Sequence, residues 1–154
     1  MSHTTTHPRV HASLSDAAGS SHAAHQAFLV LRTAFTVAPI VFGLDKFTNL
    51  LVDWTTYLAP PIAGLSPFSP QGTMYVVGVI EIVAGVLVAL HPRLGGAVVA
   101  LWLAGIILNL LLIPGFYDVA LRDVGLLLAA VALQRLSTAY DRRPLSWPVR
   151  HAGA

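Results

Sequence analysis

A single carboxylic acid, Glu81, lies in the middle of the apolar stretch VVGVIEIVAGVLVAL, residues 76–90. An ionisable side chain inside such a segment is costly, and in membrane proteins it usually marks a functional site. A buried carboxyl group is tolerated when a cationic group pairs with it, and without a partner it takes up a proton. Glu81 therefore offers ion pairing, proton transfer or both.

Two basic residues near helix ends, Lys46 and Arg122, are expected to converge with Glu81 in the same half of the protein interior, and either can meet its carboxylate. Their charges nearly balance those of the nearby acidic residues. We interpret Glu81 and Lys46 as the catalytic pair. The other candidates, interpreted as ligand-binding residues that converge with this pair, are Asp45, Asn109, Arg122 and Asp123, with Arg32 separate at the inner end of the first helix.

Simpler interpretations exist for several of these residues. Asp118 and Arg122 have the i,i+4 spacing of a local pair at a helix start. Asn109 suits a helix–helix hydrogen bond, and the long side chain of Arg32 can reach the lipid headgroups. The Glu81 network can also serve only to set helix register, because buried ion pairs are often neutral for stability. A functional network and a purely structural one both stay open.

The composition indicates a membrane protein. Hydrophobic residues make up 55% of the 154 residues and charged residues 10%, whereas a soluble domain carries about 25% charged residues. A spanning helix needs about 20 largely apolar residues. Four segments meet this requirement, and they cover residues 27–47, 72–90, 95–113 and 119–136.

Each of the four segments places its polar residues and its small residues on one face of a helical wheel. These faces contain Arg32, Thr36, Pro39, Gly43 and Lys46 in the first segment, and Met74, Gly78, Glu81, Gly85 and Val88 in the second. They contain Trp102, Gly105, Ile106 and Asn109 in the third, and Arg122, Gly125, Ala129 and Ala132 in the fourth. Small residues let helices approach closely in lipid. The pattern predicts an all-α transmembrane four-helix bundle with these faces inward.

The connection 48–71 contains four prolines and is too broken to span. It predicts a short interfacial helix followed by a loop, with Trp54, Tyr57 and Phe68 at headgroup depth. The Lys and Arg distribution places both termini in the cytoplasm and predicts a multi-pass protein of the cytoplasmic (inner) membrane. Residues 1–26 are expected to be a disordered cytoplasmic tail, 27–140 the helical domain and 141–154 a basic cytoplasmic tail.

Several function classes are excluded or disfavoured. The chain contains no cysteine, so it has no thiolate metal ligand, Fe–S ligation or thiol redox chemistry of its own. Its basic residues report membrane orientation and not nucleic-acid binding. Histidines cluster in the N-terminal tail, where metal binding stays an open alternative, at His3, His7, His11, His22 and His25.

Several of these residues together resemble the DoxX family of small four-helix membrane proteins, over about residues 27–140. The matching residues are Arg32, Gly43-Leu44-Asp45-Lys46-Phe47, Gly78-Val79-Ile80-Glu81, Gly85 and the short turn 91–96. The segment GLDKFTN, with the SPFSP loop, is also similar to the neighbouring YkgB-type family. Lys46 and Glu81 match the DoxX pattern, Arg122 and Asp123 match it less closely, and residues 137–141 depart from the usual glycine-containing ending.

The resemblance implies an inner-membrane protein linked to redox metabolism, since the founding member is the small subunit of a thiosulfate:quinone oxidoreductase. We therefore expect a membrane subunit of a quinone-linked sulfur or oxidative-stress system. A quinone would use Lys46 or Arg122 as donors, and Glu81 for the coupled proton. The electrons would come from a partner subunit, since the chain has no evident redox cofactor, and a homo-oligomer is an option. The alternatives are a non-enzymatic scaffold and a small proton or solute transporter.

Overall fold

The computed structural model describes residues 8–140, and their side chains from residue 19 onward. Within this range the chain is helical and contains no strand, which confirms the predicted all-α class. The helices are α1 (Pro8–Thr48), a 3₁₀ helix (Trp54–Tyr57), α2 (Pro60–Leu65), α3 (Pro70–Leu90), α4 (Pro92–Leu111) and α5 (Tyr117–Tyr140).

The four long helices surround one apolar core. In order of packing, α1 lies against α3, α3 against α4, and α4 against α5, while α5 returns to contact α1. The core side chains come from all four helices, and they are Phe28, Phe35, Ala84, Val88, Val99, Leu103, Ala130 and Leu133. Neighbouring helices run antiparallel, so the molecule has two ends. We call the end that holds residues 49–69 the loop end, and the end that holds His91 the turn end.

Among the described residues, three helices are long and apolar enough to cross a membrane: the part Gly19–Thr48 of α1, and all of α3 and α4. Their outward faces present large apolar side chains, such as Val30 and Leu101, which are 67% and 77% exposed. Such faces suit a lipid environment. The fourth predicted span falls in α5, whose apolar run is interrupted by charged residues at both ends, including Arg122 and Arg135.

The first helix is longer than the sequence predicts. It begins at Pro8 and not near residue 27, so residues 8–26, predicted to be disordered, are helical. Proline is favoured at the first position of a helix, and the alanines of this segment propagate a helix well once it is anchored. The anchor includes Phe28, which stacks on Tyr140 of α5 at a ring distance of 5.4 Å. The predictions for residues 1–7 and 141–154 lie outside the described residues.

Glycines allow α1, α3 and α4 to approach closely. A methyl group on Gly43 would lie 2.6 Å from the carbonyl oxygen of Gly78, and one on Gly85 would lie 2.8 Å from that of Thr36. A methyl group on Gly95 would meet the backbone of Val88 at 2.5 Å. These contacts confirm the predicted inward faces of α1 and α3.

The predicted inward face of α5 is wrong, and that of α4 is only partly right. Gly105 and Gly125 are exposed, and a methyl group added to either would have no neighbouring atom within 4 Å. The buried residues of α5 are instead Ala120, Ala130, Leu133 and Ser137. In a helix rich in Ala and Leu, small residues occur on several faces, so they do not mark the contact face by themselves.

The connection at the loop end is ordered by its own side chains. α1 ends at Thr48, and Asn49 adopts a left-handed conformation with φ of 49°, which asparagine tolerates at a helix C-terminus. Asp53 caps the 3₁₀ helix by accepting hydrogen bonds from the hydroxyl and N–H of Thr55 at 2.6 and 3.0 Å. These hydrogen bonds hold the pKa of Asp53 below its usual value. The predicted interfacial helix is thus two short helices separated by Leu58 and Ala59.

Candidate functional site

The centre of the candidate site is an ion pair between α1 and α3. Lys46 Nζ donates a hydrogen bond to Glu81 Oε2 at 2.6 Å, and the two side chains are 4% and 11% exposed. Lys46 lies in the last turn of α1, and Glu81 lies in the middle of α3. The close approach at Gly43 and Gly78, one turn before each residue, brings the two side chains within reach. Of the two partners that the sequence offered for Glu81, Lys46 and Arg122, the structure brings Lys46 into contact.

Trp54, from the 3₁₀ helix, covers the pair on the side of the loop end. The Lys46 ammonium lies 3.7 Å from the centre of the Trp54 ring, which is a cation–π contact. The indole N–H of Trp54 donates to Asp45 Oδ2 at 2.7 Å. The sequence predicted Trp54 to be an anchor at the lipid headgroups. Its half-buried ring also lies over the buried Lys46 ammonium, a contact that the sequence did not predict.

Asp45 is buried beside the pair, but its carboxylate turns toward the connection. It accepts hydrogen bonds from the backbone N–H groups of Leu50 and Leu51, at 3.0 and 3.2 Å, and from the Trp54 indole. The hydroxyl of Thr48 donates to it at 3.2 Å. Asp45 lies near Lys46, as predicted. Its carboxylate oxygens accept hydrogen bonds from the loop and so hold the loop in place.

Asn109 clamps the same connection from α4. Its Nδ2 donates to the carbonyl of Tyr57 at 2.6 Å, and its Oδ1 accepts from the N–H of Ala59 at 2.9 Å. The sequence suggested a helix–helix hydrogen bond, whereas the partner is the loop. Gln71, which no sequence pattern singled out, donates to the carbonyl of Lys46 at 3.0 Å and so ties the start of α3 to the end of α1.

The predicted convergence of Arg122 with Glu81 is wrong. Arg122 bonds Asp118 at 3.1 Å on the surface, where the two side chains are 75% and 63% exposed. The local i,i+4 interpretation of these residues is the right one. At the start of α5, the residue that points inward is Ala120, which is 2% exposed. Because Arg122 lies outside, Lys46 is the cation that neutralises Glu81.

Asp123 and Arg32 also lie apart from the pair. Asp123 is half-buried on α5, and the described residues offer it no ion pair. Arg32 lies near the turn end, as predicted, and its guanidinium donates to the carbonyl of Ala89 at 2.5 Å. That carbonyl is in the last turn of α3, whose final carbonyls have no partner within the helix. Arg32 therefore caps α3.

Trp102 on α4 is a site residue to which the sequence assigned an inward face but no role. Its indole is close enough to interact with the Glu81 carboxylate. Its Nε1 is buried and makes no hydrogen bond of good geometry with another described residue, and the Glu81 carboxylate is the acceptor beside it. Trp102 and Glu81 are nearly the same number of residues from the turn at 91–92, so they lie at the same level on two antiparallel helices. This spacing is the signal by which the sequence could have identified Trp102.

The arrangement joins one strong donor and one strong acceptor in an apolar environment. An ion pair of this kind is electrostatically stronger in a low-dielectric interior than in water. Lys46 can donate to a ligand oxygen, and Glu81 can accept or release a proton. In residues 19–140, no three His, Asp or Glu side chains come together as metal ligands. The side chains of His3, His7 and His11 lie outside the described residues.

Comparisons of the chain with family models, with curated proteins and with solved structures find no match.

Proposed function

We propose that this chain is a DoxX-like membrane subunit of a quinone-linked redox system, with its site at Lys46 and Glu81. The observation that carries the proposal is the buried ion pair, which joins at 2.6 Å two residues that match the DoxX pattern. A pair this deep costs desolvation energy that packing alone would avoid. A proton-handling role at a ligand site gives a reason for its presence.

The proposed topology has four spans in the cytoplasmic membrane, with both termini in the cytoplasm. Three apolar helices support the membrane location. Because α5 packs along α4 and returns to α1 at Tyr140, it accompanies α4 across the bilayer. The basic residues near the turn end, such as Arg93 and Arg135, support a cytoplasmic turn end. The loop end and the Lys46–Glu81 pair then lie in the outer half.

The proposed chemistry is the interconversion of a quinone and a quinol. Reduction of a quinone takes up two electrons and two protons. The electrons come from a redox centre on a partner subunit of a sulfur or oxidative-stress system. Glu81 takes up a proton from water at the loop end and passes it to a quinone oxygen, water supplies the second proton directly, and Lys46 stabilises the charge that develops on the oxygen.

Ligand binding tests this proposal. We expect a short-chain benzoquinone to bind the purified protein saturably, and we expect Glu81→Gln or Lys46→Met to abolish that binding. Asp118→Asn is the matched control, since it neutralises a carboxylate of an exposed ion pair and should leave binding unchanged. Gel filtration confirms that each variant is folded. Unchanged binding in folded Glu81→Gln and Lys46→Met proteins would remove the pair from the site.

The second candidate is a non-enzymatic scaffold that docks a partner through its ordered loop. The observation that favours it is the use of Asp45 and Asn109, whose hydrogen bonds hold residues 50–59 in place. A scaffold predicts a stable complex after gentle extraction, and no saturable quinone binding. Proton or solute flux in liposomes would instead indicate a transporter.

A further inference from the structure

An open groove of about 440 Å³ lies at the turn end, between the start of α4 and the last turns of α5. The residues that line it are His91, Arg93, Leu94 and Ala97 on the α4 side and Gln134 on α5. The two helices are close here, since a methyl group on Gly96 would lie 3.1 Å from Cβ of Gln134. Helix packing therefore fixes the shape of this groove, which we call the turn-end groove.

The polar lining of the turn-end groove consists of hydrogen-bond donors and a cation. Arg93 carries a fixed positive charge and five N–H donors, and the imidazole of His91 and the amide of Gln134 can each donate as well. Within residues 19–140, neither Arg93 nor His91 has an ion-pair partner. Arg93 is also exposed, so its donors can reach an anion in the groove.

The charges around the groove have one sign. Arg32 lies against the last turn of α3, and Arg135 lies near the end of α5, so three arginines share this end with each other when Arg93 is included. The acidic residues in 19–140 lie in the loop half or in the middle of α3, and they are Asp45, Asp53, Glu81, Asp118 and Asp123. An anion is the ligand that complements such a field.

The apolar lining of the groove continues along the outward face of α4. Leu94, Ala97 and Leu101 have the spacing i, i+3 and i+7, so they form one strip about 10 Å long. Leu94 and Leu101 are 56% and 77% exposed, on a face that suits lipid. A ligand that fits both parts has an anionic head and an apolar chain, whereas a small soluble anion would leave the strip uncovered.

We propose that the turn-end groove binds the headgroup of an anionic phospholipid. Arg93 holds the phosphate with two parallel N–H donors, His91 and Gln134 donate to other headgroup oxygens, and one acyl chain lies along Leu94 and Leu101. Basic pockets between membrane helices bind anionic headgroups in this way. The groove lies at the opposite end of the molecule from the loop that covers the buried ion pair, so the lipid site does not depend on the proposed quinone chemistry.

Titration of the delipidated protein in a nonionic detergent tests the lipid site, with native mass spectrometry to count the bound lipid. The probes are phosphatidylglycerol, phosphatidylcholine with the same acyl chains, and glycerol phosphate, which has the phosphate without the chains. We expect one phosphatidylglycerol to bind saturably and about tenfold or more tightly than phosphatidylcholine, whose quaternary ammonium opposes Arg93. Glycerol phosphate should not bind at the same concentrations.

Three variants separate the groove from a general attraction to positive charge. Arg93→Gln should remove the preference for phosphatidylglycerol. Arg135→Gln is the matched control, because Arg135 is exposed at the same end but does not line the groove, and this variant should keep the preference. Ala97→Phe fills the groove at an exposed position without a change of charge, and it should weaken the binding of phosphatidylglycerol.

Several results would overturn the lipid site. Equal affinities for the two lipids, or no bound lipid at all, would do so in the wild-type protein without any variant. Equal losses in Arg93→Gln and Arg135→Gln would indicate diffuse charge attraction, and full binding to Ala97→Phe would exclude the groove. Glycerol phosphate binding as tight as that of phosphatidylglycerol would make the ligand a free anion and not a lipid.

Discussion

At the scale of single residues, the part of the chain that the structure describes contains one buried ion pair, between Lys46 and Glu81. Lys46 is 3% exposed, and Arg122, the other basic residue expected near Glu81, lies on the surface. Removal of either partner therefore leaves the other charged and unpaired in an apolar interior. That situation costs far more than the loss of an exposed ion pair.

A double-mutant cycle measures this coupling. We expect Lys46→Met and Glu81→Gln each to lower the free energy of unfolding by about 3–5 kcal/mol, and the double variant to lose much less than the sum. Unfolding by denaturing detergent, followed by tryptophan fluorescence, gives the values. The control cycle uses Asp118→Asn and Arg122→Gln, whose exposed pair should couple by about 0.5 kcal/mol or less. Additive effects at Lys46 and Glu81 would show that the pair contributes no stabilisation.

At the scale of helices, the crossing of α1 and α3 decides whether the pair forms. Gly43 and Gly78 meet there, and each would place a methyl group 2.6 Å from the carbonyl oxygen of the other. Backbone atoms cannot move away as a flexible side chain can. A side chain at either position must therefore separate the helices, and Lys46 and Glu81 move apart with them.

Substitution of these glycines tests the crossing. Gly43→Ala should lower the free energy of unfolding by about 1–3 kcal/mol, as overpacking does, and should weaken the Lys46–Glu81 coupling. Gly105→Ala is the matched control on α4, since nothing lies within 4 Å of its added methyl group. Alanine favours a helix over glycine by roughly 1 kcal/mol, so the control should be neutral or stabilising. Equal effects at the two positions would contradict a tight crossing.

At the scale of the whole molecule, the antiparallel packing determines which helix ends lie together at the same end of the bundle. Because α5 lies antiparallel along α4, the C-terminal end of α5 lies at the turn end of the molecule, opposite the loop end. The chain contains no cysteine, so single cysteines can report these positions without removal of native ones.

Labelling with a membrane-impermeant maleimide tests the topology. In spheroplasts, Leu65→Cys at the exposed loop end should react, whereas His91→Cys and Ala139→Cys should react only after the membrane is opened. Leu65 is 82% exposed, and the other two are exposed as well. Labelling of Ala139→Cys from the same side as Leu65→Cys would show that α5 does not span. Reaction of His91→Cys and Ala139→Cys but not of Leu65→Cys in spheroplasts would reverse the proposed orientation.

The amino-acid sequence alone was enough to predict the helical class, three of the four predicted apolar spans and the inward direction of Glu81, because these depend on composition and on periodicity within one helix. Gly78 and Gly85 lie on the same face as Glu81 whatever the neighbouring helices do. Lys46 as partner followed from charge and depth, although Arg122 met the same criteria.

Packing between the helices selected which of these residues meet. Helix rotation and the path of the connection decide that Lys46 meets Glu81 and that Arg122 does not. They also turn Asp45 and Asn109 toward the loop. The positions of Trp54 and Trp102 depend on the same two factors. Rotation is set by contacts between helices distant in the sequence, and α5 has small residues on more than one face. Local periodicity therefore cannot select its contact face, whereas packing against the core does.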